Sequence, residues 1–212
     1  MFKTLLTTLI LFFTTATLVA QHPGAYLPGY PGAPVRGHFQ PVKIYGPEGT
    51  KIAFAADGKF VERKETPYCV GLQLSADYRL RITDIPLHPG KEVFPTVKVI
   101  GRTFPPQGLE LEFPILIEIT HEDLELALSG KFVTRVIYLE DPQNAMPIPT
   151  QPGAPLSVDV GDGADPLKFA ATLGQPIAIV RLGGRVPDLN YVDPTFFHGF
   201  PGWVAFDKTP QK

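Results

Sequence analysis

From residue 42 onward the chain is written in short apolar runs, several of them strictly alternating, cut apart by glycine and proline. "YRLRITDI" (78–85) puts Tyr78, Leu80 and Ile82 on one side and Arg79, Arg81 and Thr83 on the other. Successive side chains of a strand point to opposite faces, so this run predicts a half-buried strand with one wet face. "LEFPILIEI" (111–119) likewise aligns Leu111, Phe113, Ile115, Ile117 and Ile119. In "KIAFAADGKFVE" (51–62), Asp57-Gly58 separates two such segments. That dipeptide predicts a tight hairpin, because both central residues of the favoured turn must accept positive φ. "EVFPTVKVI" (92–100) is a further strand, with Pro95 placing its start at a sheet edge or bulge. "KFVTRVIYL" (131–139) and "PIAIVRL" (176–182) are apolar on both faces and are expected to be central strands.

Two short helices interrupt the pattern, at about 121–129 and 166–173. The first, "HEDLELALS", follows Thr120, and Asp123 stands three residues on, which approximates a capping box. Glu122 and Asp123 fall in the first turn, where the helix dipole favours negative charge, and Leu124, Ala127 and Leu128 share a docking face. The second, "PLKFAATL", has Asp165 as N-cap, Pro166 at its first position and Gly174 just past its end. Each helix leads into one of the runs that are apolar on both faces, a helix-then-strand echo. The expected fold is mainly β, an antiparallel sandwich or barrel with these two helices packed at its ends or on one face.

Ahead of this domain stand two segments of different character. "MFKTLLTTLILFFTTATLVA" (1–20) has Lys3 as its one charge, then an apolar run ending in alanine, the pattern of a secretory signal peptide. Cleavage is expected after Ala20, with Ala16 as the alternative and an uncleaved anchor as another; five threonines dilute the run from Leu5 to Ala20, which is short for a bilayer span. Residues 21–41 hold five prolines and four glycines and read as an extended linker. Tyr26, Tyr30 and Phe39 within it are candidate anchors for a protein partner, in the manner of proline-rich ligands. A single β-rich domain is expected over 42–206, with a possible sub-boundary at the proline-rich 141–156, then a polar tail at 207–212.

Composition narrows the function classes. Without Lys3 the balance is 18 basic against 21 acidic residues, a formal charge of −3. There is no cationic excess to meet a phosphate backbone, so nucleic acid is not an expected partner. Cys69, alone in the chain, cannot form an internal disulfide. It is expected either to be buried as a small apolar residue or to pair between molecules. Ser75, Ser129 and Ser157 lack the glycine-flanked elbow of a hydrolase nucleophile. The histidines, at 22, 38, 88, 121 and 198, show no spacing that brings two onto one metal from one element. No catalytic residue and no cofactor are therefore expected.

Three weaker candidates stand beside that reading. Asp159, Asp162 and Asp165 lie among glycines and form a calcium candidate, although an EF-hand's spacing and closing glutamate are absent and turn and cap chemistry accounts for them. The C-terminal aromatics Phe196, Phe197, Phe200, Trp203 and Phe206 read as a last strand or plug over the core, or else as an exposed binding patch built on Phe197, Phe200 and Trp203. "EITHEDLELALSG" (118–130) crowds His121 with Glu118, Glu122, Asp123 and Glu125. Helix-start physics explains that crowding, and nothing else in the fold is expected to converge on His121.

The strand "FVTRVIYL" (132–139) within "ALSGKFVTRVIYLEDPQ", together with "EVFPTVKVI" before it and "DPLKFAATLGQPIAIVRLGG" after it, resembles a family of secreted proteins of planctomycete-type bacteria over about residues 70–186. The resemblance implies an exported domain and carries no functional residues with it. The leading expectation is an exported, non-catalytic module of the periplasm or cell envelope, structural or binding another envelope or extracellular protein. Membrane contact is expected only through an uncleaved leader. A small-ligand or carbohydrate-binding sandwich with Trp203 as stacking platform, and an enzyme using His121, Glu122 and Asp123, are the alternatives.

Overall fold

The computed structural model describes residues 38–143, 157–161, 163–188, 190–199 and 201–206. Most of the alternating runs become strands, and further strands form outside them. They are β1 (Phe39–Tyr45), β2 (Lys51–Ala56), β3 (Lys59–Phe60), β4 (Lys64–Glu65), β5 (Tyr68–Gln73) and β6 (Asp77–Thr83). Five more follow: β7 (Thr96–Val99), β8 (Ile115–Glu118), β9 (Val133–Glu140), β10 (Gly174–Leu182) and β11 (Trp203–Ala205). The helices are α1 (His121–Leu128) and α2 (Pro166–Leu173).

Among the described residues the strands form two sheets, ordered β11-β5-β1-β8 and β3-β2-β6-β7-β10-β9, with β4 also on β2. All pairings are antiparallel except β1 with β8. The inward residues of the first sheet, among them Val42, Ile44, Val70, Leu72 and Ile117, join Ile52, Phe54, Leu80, Val97 and Val180 of the second in one core. This is a β-sandwich and not a closed barrel: each sheet ends in unclosed edges.

Local signals hold at the residue level. Asp57 and Gly58 both take positive φ (48° and 79°) and close the β2–β3 hairpin, as that turn requires. The capping box of α1 is complete: Thr120 Oγ1 accepts from Asp123 N–H at 3.1 Å, and Asp123 Oδ2 accepts from Thr120 N–H at 3.0 Å. Asp165 Oδ1 accepts from Leu167 N–H at 2.9 Å at the start of α2. Gly174 passes directly from helix into β10, and an added Cβ there would lie 1.9 Å from the Leu139 carbonyl oxygen. Close backbone approach, and not its φ of 169°, demands glycine at this position.

Four expectations need correction. β9 is an edge strand, not a central one. It is apolar on both faces because helices cover both: α2 lies against β9 and β10, while α1 meets the face that carries Val133, Arg135 and Ile137. β7, whose proline suggested an edge or bulge, lies between β6 and β10; Pro95 sits just ahead of it, and its carbonyl accepts from Leu80 N–H. Leu111 and Phe113 do not extend β8, since Pro114 precedes it and both lie exposed in the preceding turn. β1 begins at Phe39, inside the segment read as linker, with Pro41 at a position where β5 but not yet β8 pairs.

Candidate functional site

The 118–130 stretch is positioned by a buried anchor. Asp123 is fully buried; its Oδ1 accepts from Arg135 Nε at 2.9 Å and lies 2.8 Å from a terminal guanidinium nitrogen in an ion pair. One carboxylate thus closes the capping box, neutralises an arginine on β9 and pins α1 to the sheet. The residues named for an enzyme do not converge: Asp123 is fully engaged, Glu122 is exposed, and His121 turns to Glu125, with Nε2 3.1 Å from Oε1. Burial, and then the charge of Asp123, push the Glu118 carboxyl above its ordinary value.

His121 does gain a distant neighbour. The loop after β6 runs through two successive turns, His88 N–H to the Ile85 carbonyl at 3.1 Å and Lys91 N–H to the His88 carbonyl at 3.1 Å. They deliver His88 against α1, with its ring centroid 6.2 Å from that of His121 and its Nε2 3.9 Å from Glu125 Oε1. Ligand atoms of His88, His121 and Glu125 all lie within 4.8 Å of one another. The expectation that nothing converges on His121 is therefore corrected. Spacing within one element does not reveal His88, which stands 33 positions before His121 in the chain. Pro86 and Pro89 around His88 were the available signal, as they mark a stiff turn.

The outer face of β6 carries a second cluster. Arg79, expected on a wet face, is only 8% exposed. Its Nε donates to the Phe196 carbonyl at 2.9 Å and one terminal nitrogen to the Phe94 carbonyl at 2.8 Å; another lies 3.3 Å from His198 Nε2. The guanidinium also stacks 4.6 Å from the Phe196 ring centroid. Burial, then the charge of Arg185, lower its pKa to about 10. Burial first, and next the positive charge of Arg79, hold the His198 imidazole below its ordinary value. Thr83, on the same side of β6, is also buried, and only Arg81 keeps the half-exposed position expected of all three.

This cluster decides the C-terminal aromatics. Phe196 and Phe197 are 1% and 5% exposed and pack with Phe94, Phe60 and Ala55 in a second small core on the outer side of β2, β6 and β7. Phe197, taken as a candidate binding residue, is a packing residue: Arg79 draws down the Phe196 carbonyl and the two rings follow. Trp203 is partly buried on β11, its ring 5.0 Å from Phe54 and its Nε1 donating to the Ala55 carbonyl at 3.3 Å. An open groove between the β2–β4 edge and the β5–β11 edge is lined by Ile52, Phe54, Val61, Lys64, Tyr68 and Trp203. Phe200, Tyr26 and Tyr30 lie outside the described residues.

Of the calcium candidates, Asp165 caps α2, Asp159 is exposed, and Asp162 lies outside the described residues. Cys69 is half-buried on the outer face of its sheet; burial pushes its thiol up, and Lys43 partly opposes that.

A further feature is the surface beside β8. β8 pairs with β1 on one side, and among the described residues no strand pairs with its other side. Leu116 on this strand is 57% exposed and Phe113 just before it 53%, with Phe104, Leu109 and Leu111 also exposed in the preceding loop. Compared with protein-family models, curated proteins and solved structures, the chain finds no match.

Proposed function

We propose that this protein is an exported, non-catalytic β-sandwich module of the periplasm or cell envelope that binds another envelope or extracellular protein through the β8 edge and the apolar surface of residues 104–116. The observation that carries the reading is the coincidence of a strand edge, unpaired among the described residues, with Leu116 and Phe113 exposed beside it. Unpaired N–H and C=O groups are a template for strand addition, and large apolar side chains next to them supply pockets and area. Monomeric proteins seldom leave such a patch open without use. The leader-like first twenty residues and the resemblance to secreted proteins support export.

The test is capture from envelope extract by the wild-type protein and by Leu116→Lys and Phe113→Ser variants of unchanged circular dichroism. A partner recovered by wild type and lost by both variants is expected. Recovery of no partner, or of the same partner by all three proteins, overturns the reading.

A second reading, small-ligand or carbohydrate binding, draws on the groove walled by Tyr68 and Trp203. Phe54 occupies space against the Trp203 ring, which leaves less of it for stacking. Trp203 is the chain's single tryptophan, so oligosaccharide titrations followed by its fluorescence are a direct check. Absence of any saturable change removes this alternative.

A further inference from the structure

We propose that His88, His121 and Glu125 form a binding site for one divalent transition-metal ion, with zinc(II) the best match. Two imidazole nitrogens and one carboxylate oxygen are a donor set suited to zinc and its first-row neighbours, and not to calcium or magnesium, which take oxygen ligands. Ligands held about 2.0–2.2 Å from a tetrahedral zinc stand roughly 3.4 Å apart. Here His121 Nε2 and Glu125 Oε1 are 3.1 Å apart, and His88 Nε2 and the same oxygen 3.9 Å. All three ligand atoms fall within 4.8 Å of one another, so small side-chain adjustments complete the geometry.

Two observations favour a metal over a simple ion pair. His88 Nε2 is shielded from solvent and makes no hydrogen bond, an expensive state for an imidazole nitrogen unless something is placed against it. The two ring centroids lie 6.2 Å apart with Glu125 beside both rings, so a cation between them meets one carboxylate and two imidazole groups.

The site also has a rigid base. His121 and Glu125 are four residues apart on one face of α1, and Asp123 locks that helix to Arg135. His88 sits at the junction of two hydrogen-bonded turns. A bound ion would clamp the 84–91 loop to α1 and leave one tetrahedral position for water or an outside ligand. The site is independent of the partner-binding reading: it uses neither β8 nor the 104–116 surface.

The experiment takes the full chain, freed of metal by a chelator, through zinc(II) calorimetry, a thermal melt with and without zinc, and cobalt(II) absorption spectroscopy. One zinc per chain, a melt raised by zinc and returned by chelator, and the intense visible bands of a tetrahedral nitrogen–oxygen cobalt site are expected. His88→Ala and Glu125→Gln should weaken binding by more than the roughly 10–100-fold that loss of an outer-shell partner costs. His38→Gln should leave it unchanged. Glu125 is half exposed, so its variant keeps the fold if His88→Ala does not, and the wild-type cobalt spectrum needs no variant. Absence of stoichiometric binding, or binding retained in Glu125→Gln and lost in His38→Gln, overturns the proposal.

Discussion

Replacing Asp123 by alanine should be among the most damaging single substitutions at a charged position, and its cost can be worked from the contacts. The carboxylate is fully buried, accepts hydrogen bonds from Thr120 N–H at 3.0 Å and from Arg135 Nε at 2.9 Å, and is ion-paired with a terminal guanidinium nitrogen at 2.8 Å. Loss of half a capping box costs about 1 kcal/mol. Loss of charge-assisted bonds to the guanidinium costs about 1.5–3 kcal/mol. Arg135 keeps 28% of its side-chain exposure, so the roughly 3–5 kcal/mol penalty for stranding one member of a fully buried pair is not reached. Together these contributions come to about 3 kcal/mol, or a melting temperature lower by roughly 6–12 °C for a domain of this size. Urea denaturation followed by Trp203 fluorescence and by circular dichroism measures it. Arg135→Met alone and the Asp123→Ala/Arg135→Met double variant complete a cycle, in which the double variant should recover part of the loss because no orphaned charge remains. A loss below about 0.5 kcal/mol in Asp123→Ala, the range of ordinary surface changes, would refute the anchor.

Further outcomes follow from the same physics. The depressed His198 pKa means that the folded state resists a proton the unfolded chain accepts. Its stabilisation is present above the unfolded value of about 6.5 and is lost as pH falls through the lower folded value. Arg79, Arg185 and Lys98 oppose that proton and Asp77 favours it, so urea midpoints should drop between neutral and mildly acidic pH, and His198→Gln should flatten the drop. A slope unchanged in His198→Gln would show that other groups carry it. Gly174→Ala places a Cβ 1.9 Å from a backbone carbonyl that has no freedom to retreat, and should lose more than the roughly 1–3 kcal/mol typical of overpacking. A wild-type melting curve would contradict the β9–β10 geometry. Phe196→Ala should cost about 3–5 kcal/mol as a buried aromatic and shift Trp203 emission, since the two lie in one C-terminal segment. An intact melt there would mean that the outer small core is dispensable.

Features set by neighbours in the chain were legible from the residues alone. Alternation located the strands, Asp57-Gly58 specified the hairpin, and Thr120 with Asp123 and Asp165 with Pro166 marked the helix starts, because each depends on dihedrals and hydrogen bonds within a few positions. The mainly β class followed from the same runs. Of the His88–His121–Glu125 site, only the helical pair could be read, as two positions on one face of α1.

Tertiary structure decided which faces are covered and by what. Arg79 alternates like a solvent-facing residue, yet the segment around Phe196, more than a hundred positions later, folds over it and supplies its carbonyl partner. The same packing turned Phe197 from a docking candidate into core, and two helices made β9 look central while it stands at an edge. His88 meets His121 because the β6 loop and α1 share one corner of the sandwich, not through any spacing within an element. A residue's period tells which side of a strand it occupies. Whether that side meets water, a helix or another ionisable group depends on segments distant in the chain, and only chain closure brings them there.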